Sequence, residues 1–289
     1  MTRSEQNTDA TLAEATRLGA VRLAVADIDR ATAFYRDAIG LEPIDTADGV
    51  QRLGIDGSPL VELVAEPDAP AAPRGTAGLF HLALLVPGRR DLAEAVVRVV
   101  DTGARFTGAS DHLVSEALYL NDPEGNGIEI YRDRPRADWP RAGDDIEMAT
   151  LPLDLDVIMA TLGDEQPAPR MATGTTLGHV HLKMDDLATG RRFYAGVLGF
   201  DVTTQNYPGA LFVSAGGYHH HIGMNTWQSN RPAQAGALGL RHFEVVVPDG
   251  AELARVVARA EGAGLAVTAD GDAARVDDPA GNAVLLRAL

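Results

Sequence analysis

Residues 27–40 read DIDRATAFYRDAIG, and residues 186–199 read DLATGRRFYAGVLG. The offset of 159 residues holds for Phe34-Tyr35 against Phe193-Tyr194 and for the apolar runs opened by Leu18-Gly19 and Leu177-Gly178. Further on, residues 78–87 (GLFHLALLVP) match 239–248 (GLRHFEVVVP), and residues 122–126 (DPEGN) match 278–282 (DPAGN). Self-similarity sustained in this order marks two homologous halves. Their expected bounds are 16–135 and 176–289.

Each half repeats its own pattern once more. A strand-like apolar run comes first. A helix follows, with apolar residues such as Ala33, Phe34, Ala38 and Ile39 gathered on one face. Short strands then alternate with Gly, Asp and Pro. The result is four strand–helix–strand–strand–strand modules, at 18–66, 78–133, 177–225 and 238–289, and an α+β class. One such module leaves a sheet face bare, so it must pair with another. Residues 136–175 fit no module. Pro140, Pro152, Pro167 and Pro169 mark them as a linker, with one short docking helix expected around Asp154 to Leu162.

Composition narrows the function. The 289 residues carry 25 Lys plus Arg against 41 Asp plus Glu, a net charge of −16. Such a surface repels phosphate backbones, which argues against nucleic acid. There is no cysteine, which removes disulfides, thiolate metal sites and thiol catalysis. No apolar run approaches the roughly 20 residues that span a bilayer. The opening 15 residues lack the apolar core of a signal peptide, so the expected location is the cytoplasm.

Residues 112–129, HLVSEALYLNDPEGNGIE, hold the most specific pattern. It resembles the signature of the type I extradiol dioxygenases: His112, a spacer, Leu118-Tyr119, Asp122-Pro123, Gly125 and Glu129. The residue two before the histidine, Ser110, departs from it. Four modules of this kind resemble the vicinal oxygen chelate superfamily, which also holds glyoxalase I and fosfomycin-resistance proteins. The resemblance covers nearly the whole chain outside the linker. It implies that paired modules curl into half-barrels around one divalent metal, with ligands on the first and last strands of each module.

Carried over residue by residue, the resemblance implies a ligand at Glu129, with Tyr119 beside the substrate and His112 among the catalytic residues. It places a ligand at His179, for which His181 on the same face competes. In Gly217-Tyr218-His219-His220-His221 it places another at His220. There, strand alternation would send His219 and His221 to the opposite face. His81 and its counterpart His242 occupy a position that is a ligand in glyoxalase I and an acid/base group in extradiol enzymes. The alternative for each is a hydrogen-bonded core histidine.

In two-domain extradiol enzymes the third and fourth modules build the site. Here the fourth module has Leu285 at the glutamate position and Arg275 at the tyrosine position. Modules 1 and 2 offer Glu62, His81 and Glu129, with Ala20 at the first-strand position. Neither pair gives two histidines and one carboxylate, the set that holds non-haem Fe(II) with positions left open. Modules 2 and 3 together do. The expectation is a site shared by modules 2 and 3, of His179, His220 and Glu129, with modules 1 and 4 a metal-free pair. The fallback is His179, His220 and His242.

The implied reaction is extradiol cleavage of a catechol-like aromatic by O₂, with Fe(II), or Mn(II) in its place, and His81 and Tyr119 moving or positioning protons. One alternative is a glyoxalase-like isomerase or lyase using Zn or Ni; another is a metal-free sequestering protein. A homo-oligomer is left open. Phe34-Tyr35 and Phe193-Tyr194 read as packing, and Asp27, Asp29, Asp185 and Asp186 as helix caps and dipole partners. Trp139 and Trp227 read as loop residues, Trp227 as packing or a pocket wall. Arg132, Arg134 and Arg136 read as a solvated run or as anchors for an acidic substrate group.

Overall fold

The computed structural model describes residues 11–289; the first ten residues of the polar opening segment lie outside the described residues. Each module folds as strand–helix–strand–strand–strand, and the modules pair across the two halves. Sheet I has eight strands and joins modules 1 and 4 through antiparallel pairing of Arg17–Val25 with Gly239–Val247. Sheet II has nine strands and joins modules 2 and 3 through antiparallel pairing of Gly78–Leu85 with Thr176–Lys183. In every module the first strand runs parallel to the last, as Gly78–Leu85 does beside Gly127–Asp133 and Thr176–Lys183 beside Ile222–Asn225. Each sheet is thus mixed and nearly two-fold symmetric, with four central strands.

Those central strands are buried on both faces, which explains their near-continuous apolar sequence. One face packs on helices in the main core, with Val180, Leu182, Leu82, Leu84 and Ile128 all at 0% exposure. The other face lines the concave side of the sheet, and there the sequence places polar groups.

The repeated DxxxxxxFY stretch forms a helix that changes type. Asp27 caps Ile28–Phe34 by accepting from the Arg30 amide at 3.0 Å. The chain then widens into a π segment, Tyr35–Ile39, closed by Gly40 at φ 91°. The second copy does the same: Asp186 caps Leu187–Arg191, Arg192–Leu198 is the π segment, and Gly199 closes it. The wider turn places Tyr35 and Tyr194 wholly in the interior. Arg98 and Arg259, one on each long module helix, donate to the closing carbonyls of Ile39 and of Val197 and Leu198.

The linker holds the expected helix. Asp154 caps Leu155–Met159, a 3₁₀ turn covers Ala160–Leu162, and Ile158 is buried against the helix Arg89–Asp101. Arg90 donates to the carbonyl of Leu162 at 2.9 Å and pairs with Glu165 at 3.0 Å. Among the described residues no helix is long and apolar enough to cross a membrane.

Candidate metal centre

The concave face of sheet II collects the chemistry. A register shift between Leu177 and His179 sets His179 opposite Ala83 on the neighbouring strand, and His181 falls opposite His81. Gly178 sits at that shift because a side chain there would run into the Tyr131 hydroxyl, 1.8 Å from where its Cβ would lie. On the other side of Gly78–Leu85, Glu129 pairs with Ala83 and Tyr119 pairs with Glu129. Pairing partners share a face, so these groups converge.

His179 Nε2 lies 3.1 Å and His81 Nε2 3.0 Å from the same oxygen, Glu129 Oε2. All three side chains are buried, and one ligand atom from each falls within 4.8 Å of the others. The contacts are not all hydrogen bonds. His81 Nε2 and His179 Nδ1 are buried without a hydrogen-bond partner among the described residues. His179 Nε2 does hydrogen-bond to Glu129, but an orphaned His81 Nε2 beside the same buried oxygen is costly unless a cation sits between them. The donor set fits a divalent metal that accepts nitrogen and oxygen.

The charge states fit as well. Burial raises the Glu129 carboxyl, but the imidazoles of His179 and His81 outweigh it and hold it well below the usual carboxylate range. Burial lowers His179 to about 4, against the opposing pull of Glu129. At neutral pH the site is therefore one carboxylate with neutral His179, the form that binds metal.

His220 stands beside this set. Its ring centroid is 4.1 Å from that of His179. Residues 215–221 form a turn-rich loop rather than a strand, because Gly216 and Gly217 take consecutive positive φ values of 60° and 64°. The alternation expected for His219, His220 and His221 therefore does not apply. His219 and His220 face each other, Nδ1 to Nδ1, at 2.8 Å. His219 Nε2 lies 2.8 Å from Asp133 Oδ1. His221 turns away and its Nδ1 accepts from the Ala215 amide.

The other sequence candidates separate clearly. His112 Nδ1 donates to the Ala149 carbonyl at 2.6 Å, so in the neutral ring Nε2 accepts from the Tyr119 hydroxyl, also at 2.6 Å. Burial and the Glu129 charge push the Tyr119 phenol well up, so it stays protonated. His242 lies in sheet I, opposite Arg22, which separates the fallback set of three histidines. There Ala20 and Leu285 take the places of His179 and Glu129, and Glu62 is held by Arg22 at 2.7 Å and Arg52 at 3.0 Å.

Arg132 and Arg134 do not form a solvated run. Together with Arg89 they converge on the buried Glu116, at 2.7, 3.3 and 2.6 Å. Arg136 donates to the Gly216 carbonyl and so ties down the histidine loop. Trp139 is buried against the His219 ring.

A cavity of about 520 Å³ opens over the site. Glu129, His81, His179 and His220 line its floor, and Phe80, Phe212 and Trp227 are among its walls. It is a suitable size for a small aromatic molecule. Lys183 also lines it. The motif reading passes over that residue, although a plain count finds no other lysine in the chain.

Comparison with known proteins shows the family and the fold. A family model described as Glyoxalase/Bleomycin resistance protein/Dioxygenase superfamily matches residues 17–130 and 176–286. The chain is 39% identical over 279 residues to a catechol-2,3-dioxygenase of Bacillus subtilis (strain 168), covering 94% of this chain and 97% of that one. Among solved structures, a Bacillus subtilis subsp. subtilis str. 168 protein superposes with a TM-score of 0.70 at 15% identity, covering 96% of this chain and 86% of that one. Glyoxalase I from Zea mays superposes with a TM-score of 0.60 at 16% identity, covering 94% and 92%. At these identities the structures speak for the fold.

Proposed function

Because the chain belongs to the Glyoxalase/Bleomycin resistance protein/Dioxygenase superfamily, we propose that it is an extradiol dioxygenase. It opens a catechol-like ring with O₂ at a metal held by His81, His179 and Glu129. The observation that carries this reading is the pair of imidazole nitrogens at 3.0 and 3.1 Å from one buried carboxylate oxygen, His81 Nε2 lacking a hydrogen bond there. The likeness to a catechol-2,3-dioxygenase over nearly the full length of both chains supports the substrate class. Fe(II) is the proposed ion, with Mn(II) able to occupy the same ligands. When bound, the metal supplies a Lewis acid with positions open to a vicinal diol and dioxygen.

This assignment exchanges two roles implied by the sequence resemblance. His81 becomes a ligand and His220 becomes the proton-transfer group. Asp133 accepts from His219 Nε2, which leaves His219 Nδ1 to accept from His220 Nδ1. That order leaves a lone pair on His220 Nε2. Burial first, then the surrounding histidines, holds His220 well below its ordinary value, so it is neutral and able to take a proton from a substrate hydroxyl. Its Nδ1 proton can then pass to His219, where Asp133 stabilises the charge. Tyr119, protonated and held by the His112 Nε2 that takes its proton, presents its hydroxyl oxygen as an acceptor toward the reacting ring.

The test is metal analysis of protein purified anaerobically, together with O₂ uptake on catechol. Near-stoichiometric iron or manganese, lost in Glu129→Ala along with O₂ uptake, is the expected result. Zinc or nickel without O₂ uptake would overturn it in favour of an isomerase. A protein free of metal would make it a binding module.

A further inference from the structure

Lys183 is the chain's single lysine, against 24 arginines. It stands on the strand Thr176–Lys183, on the same face as His179 and His181. It lines the cavity, where among the described residues it is the only Lys or Arg and Glu129 the only acidic side chain. Lys183 makes no ion pair or side-chain hydrogen bond with any described residue. Asn225, its register partner on the adjacent strand, is fully buried and its Nδ2 has no partner among the described residues. Between Lys183 and the metal ligands sits His181, buried, with an unpartnered Nε2.

A half-buried ammonium without a counter-ion is unusual in a protein with this excess of acids. Burial lowers the Lys183 amine from its ordinary value. Apart from Glu129 at the far end, no carboxylate among the described residues lines the cavity, so the missing partner is an anion.

We infer that Lys183 binds an acidic substituent on the substrate, and that the enzyme takes catechols bearing a carboxylate side arm in preference to catechol itself. This rests on the dioxygenase reading for the reaction, though the anion subsite stands on its own residues. The geometry suits the assignment. Four residues along a strand place the His179 and Lys183 Cα atoms about 13 Å apart. The lysine stem spans part of that interval, and an aromatic ring with a short arm spans the rest. Phe80 and Trp227, whose rings meet edge to face at 5.8 Å and lie 5.2 and 5.7 Å from the His181 ring, form one wall of the cavity along that interval.

The experiment uses the metal-loaded protein. Affinities for 3-(3,4-dihydroxyphenyl)propanoate, its methyl ester and catechol are read from anaerobic quenching of tryptophan fluorescence, and turnover of each from O₂ uptake. The acid should bind about 10-fold tighter than the ester or better. Lys183→Met should erase that preference and leave catechol affinity within about 2-fold, while Lys183→Arg keeps part of it. Because the chain has one ε-amino group, protection is a second readout that needs no variant. The acid should slow reductive methylation of Lys183, followed by peptide mass spectrometry, and the ester should not. Equal binding of acid and ester, or a preference that survives in Lys183→Met, overturns the inference. Selective binding and protection without O₂ uptake on any diol would retain the subsite and remove the dioxygenase reading. O₂ uptake without preference would do the reverse.

Discussion

The Tyr35 hydroxyl donates to Asp122 Oδ2 at 3.1 Å, and in the second half Tyr194 donates to Asp278 Oδ2 at 2.8 Å. Each bond runs from the π segment of one module to the Asp-Pro-x-Gly-Asn turn of the next, so it joins sheet I to sheet II. The turn is organised by the same aspartate. Asp122 Oδ1 accepts from the amides of Glu124 and Asn126, and Oδ2 from the Asn126 side chain. A short tie between two repeated motifs thus links sheet I to sheet II at two symmetric points.

Tyr35→Phe deletes the tie and leaves a buried carboxylate one donor short. A hydrogen bond to a charged, buried group contributes about 1.5–3 kcal/mol. Urea unfolding at pH 7 should show a loss in this range for Tyr35→Phe and for Tyr194→Phe. The two losses should nearly add, because the pairs share no partner. A loss below about 0.5 kcal/mol for both would mean that the tie adds nothing to stability.

The module pattern, and the meeting of potential ligand groups from modules 2 and 3 on one sheet, were legible because both depend on sequence alone. One needs a constant offset, the other a complete set of ligand types. The approach of His81 to Glu129 and the path of the chain around His220 were not. Strand alternation was applied to residues 217–222, but two glycines at positive φ turn that stretch into a loop, and only coordinates give its path. The Tyr35–Asp122 tie was hidden for another reason. Both motifs were visible as repeats, but nothing in the sequence pairs an aromatic in one module with a turn 87 residues away. Arg132 and Arg134 read as surface because their partner, Glu116, gives no sign in the sequence of being buried.

The reassigned histidines give a direct prediction. His81→Ala and His179→Ala should lower bound metal to near background. His220→Ala should keep it and slow O₂ uptake by about 10²- to 10⁴-fold, the scale of a lost proton-transfer group. Plasma mass spectrometry on the three variants, run with O₂ uptake, separates the roles. Metal lost from His220→Ala and kept in His81→Ala would restore the order implied by the sequence resemblance.

Glu116 should prove a keystone for the segment beside the site. It takes three arginines while its own side chain is only 4% exposed, and one of them, Arg134, also holds Asp111. Its folded pKa is depressed, because Arg89 and Arg132 outweigh the effect of burial. The stability it contributes is therefore present above its unfolded value, near 4.5, and is lost as pH falls below that. Glu116→Ala leaves three cations without their buried partner and should cost about 2–4 kcal/mol at pH 7. The gap between urea melts of the variant and the parent should narrow as pH falls from 4.5 toward 3. A gap that stays constant down to that pH would show that the side chain acts through packing rather than charge.

His242 gives the metal-free sheet its own pH signature. Its side chain is buried on the concave face, and Nε2 has no partner among the described residues. Burial first, then the Arg22 charge, lowers it to about 4; Arg275 adds to this, while Glu62 and Asp270 oppose it. The ordinary value is 6.5, so between these two pH values the unfolded chain binds a proton that the folded chain refuses. Stability from this group is complete above pH 6.5 and falls away as pH drops toward 4. A shift of this size amounts to about 3 kcal/mol across the window. His242→Gln carries no titrating group and should flatten that part of the curve. Urea midpoints of parent and variant at pH 7.0 and 4.5 isolate the difference, since every other group is common to both. Parallel curves would mean that His242 is protonated in the fold, with Glu62 overriding both burial and the arginines.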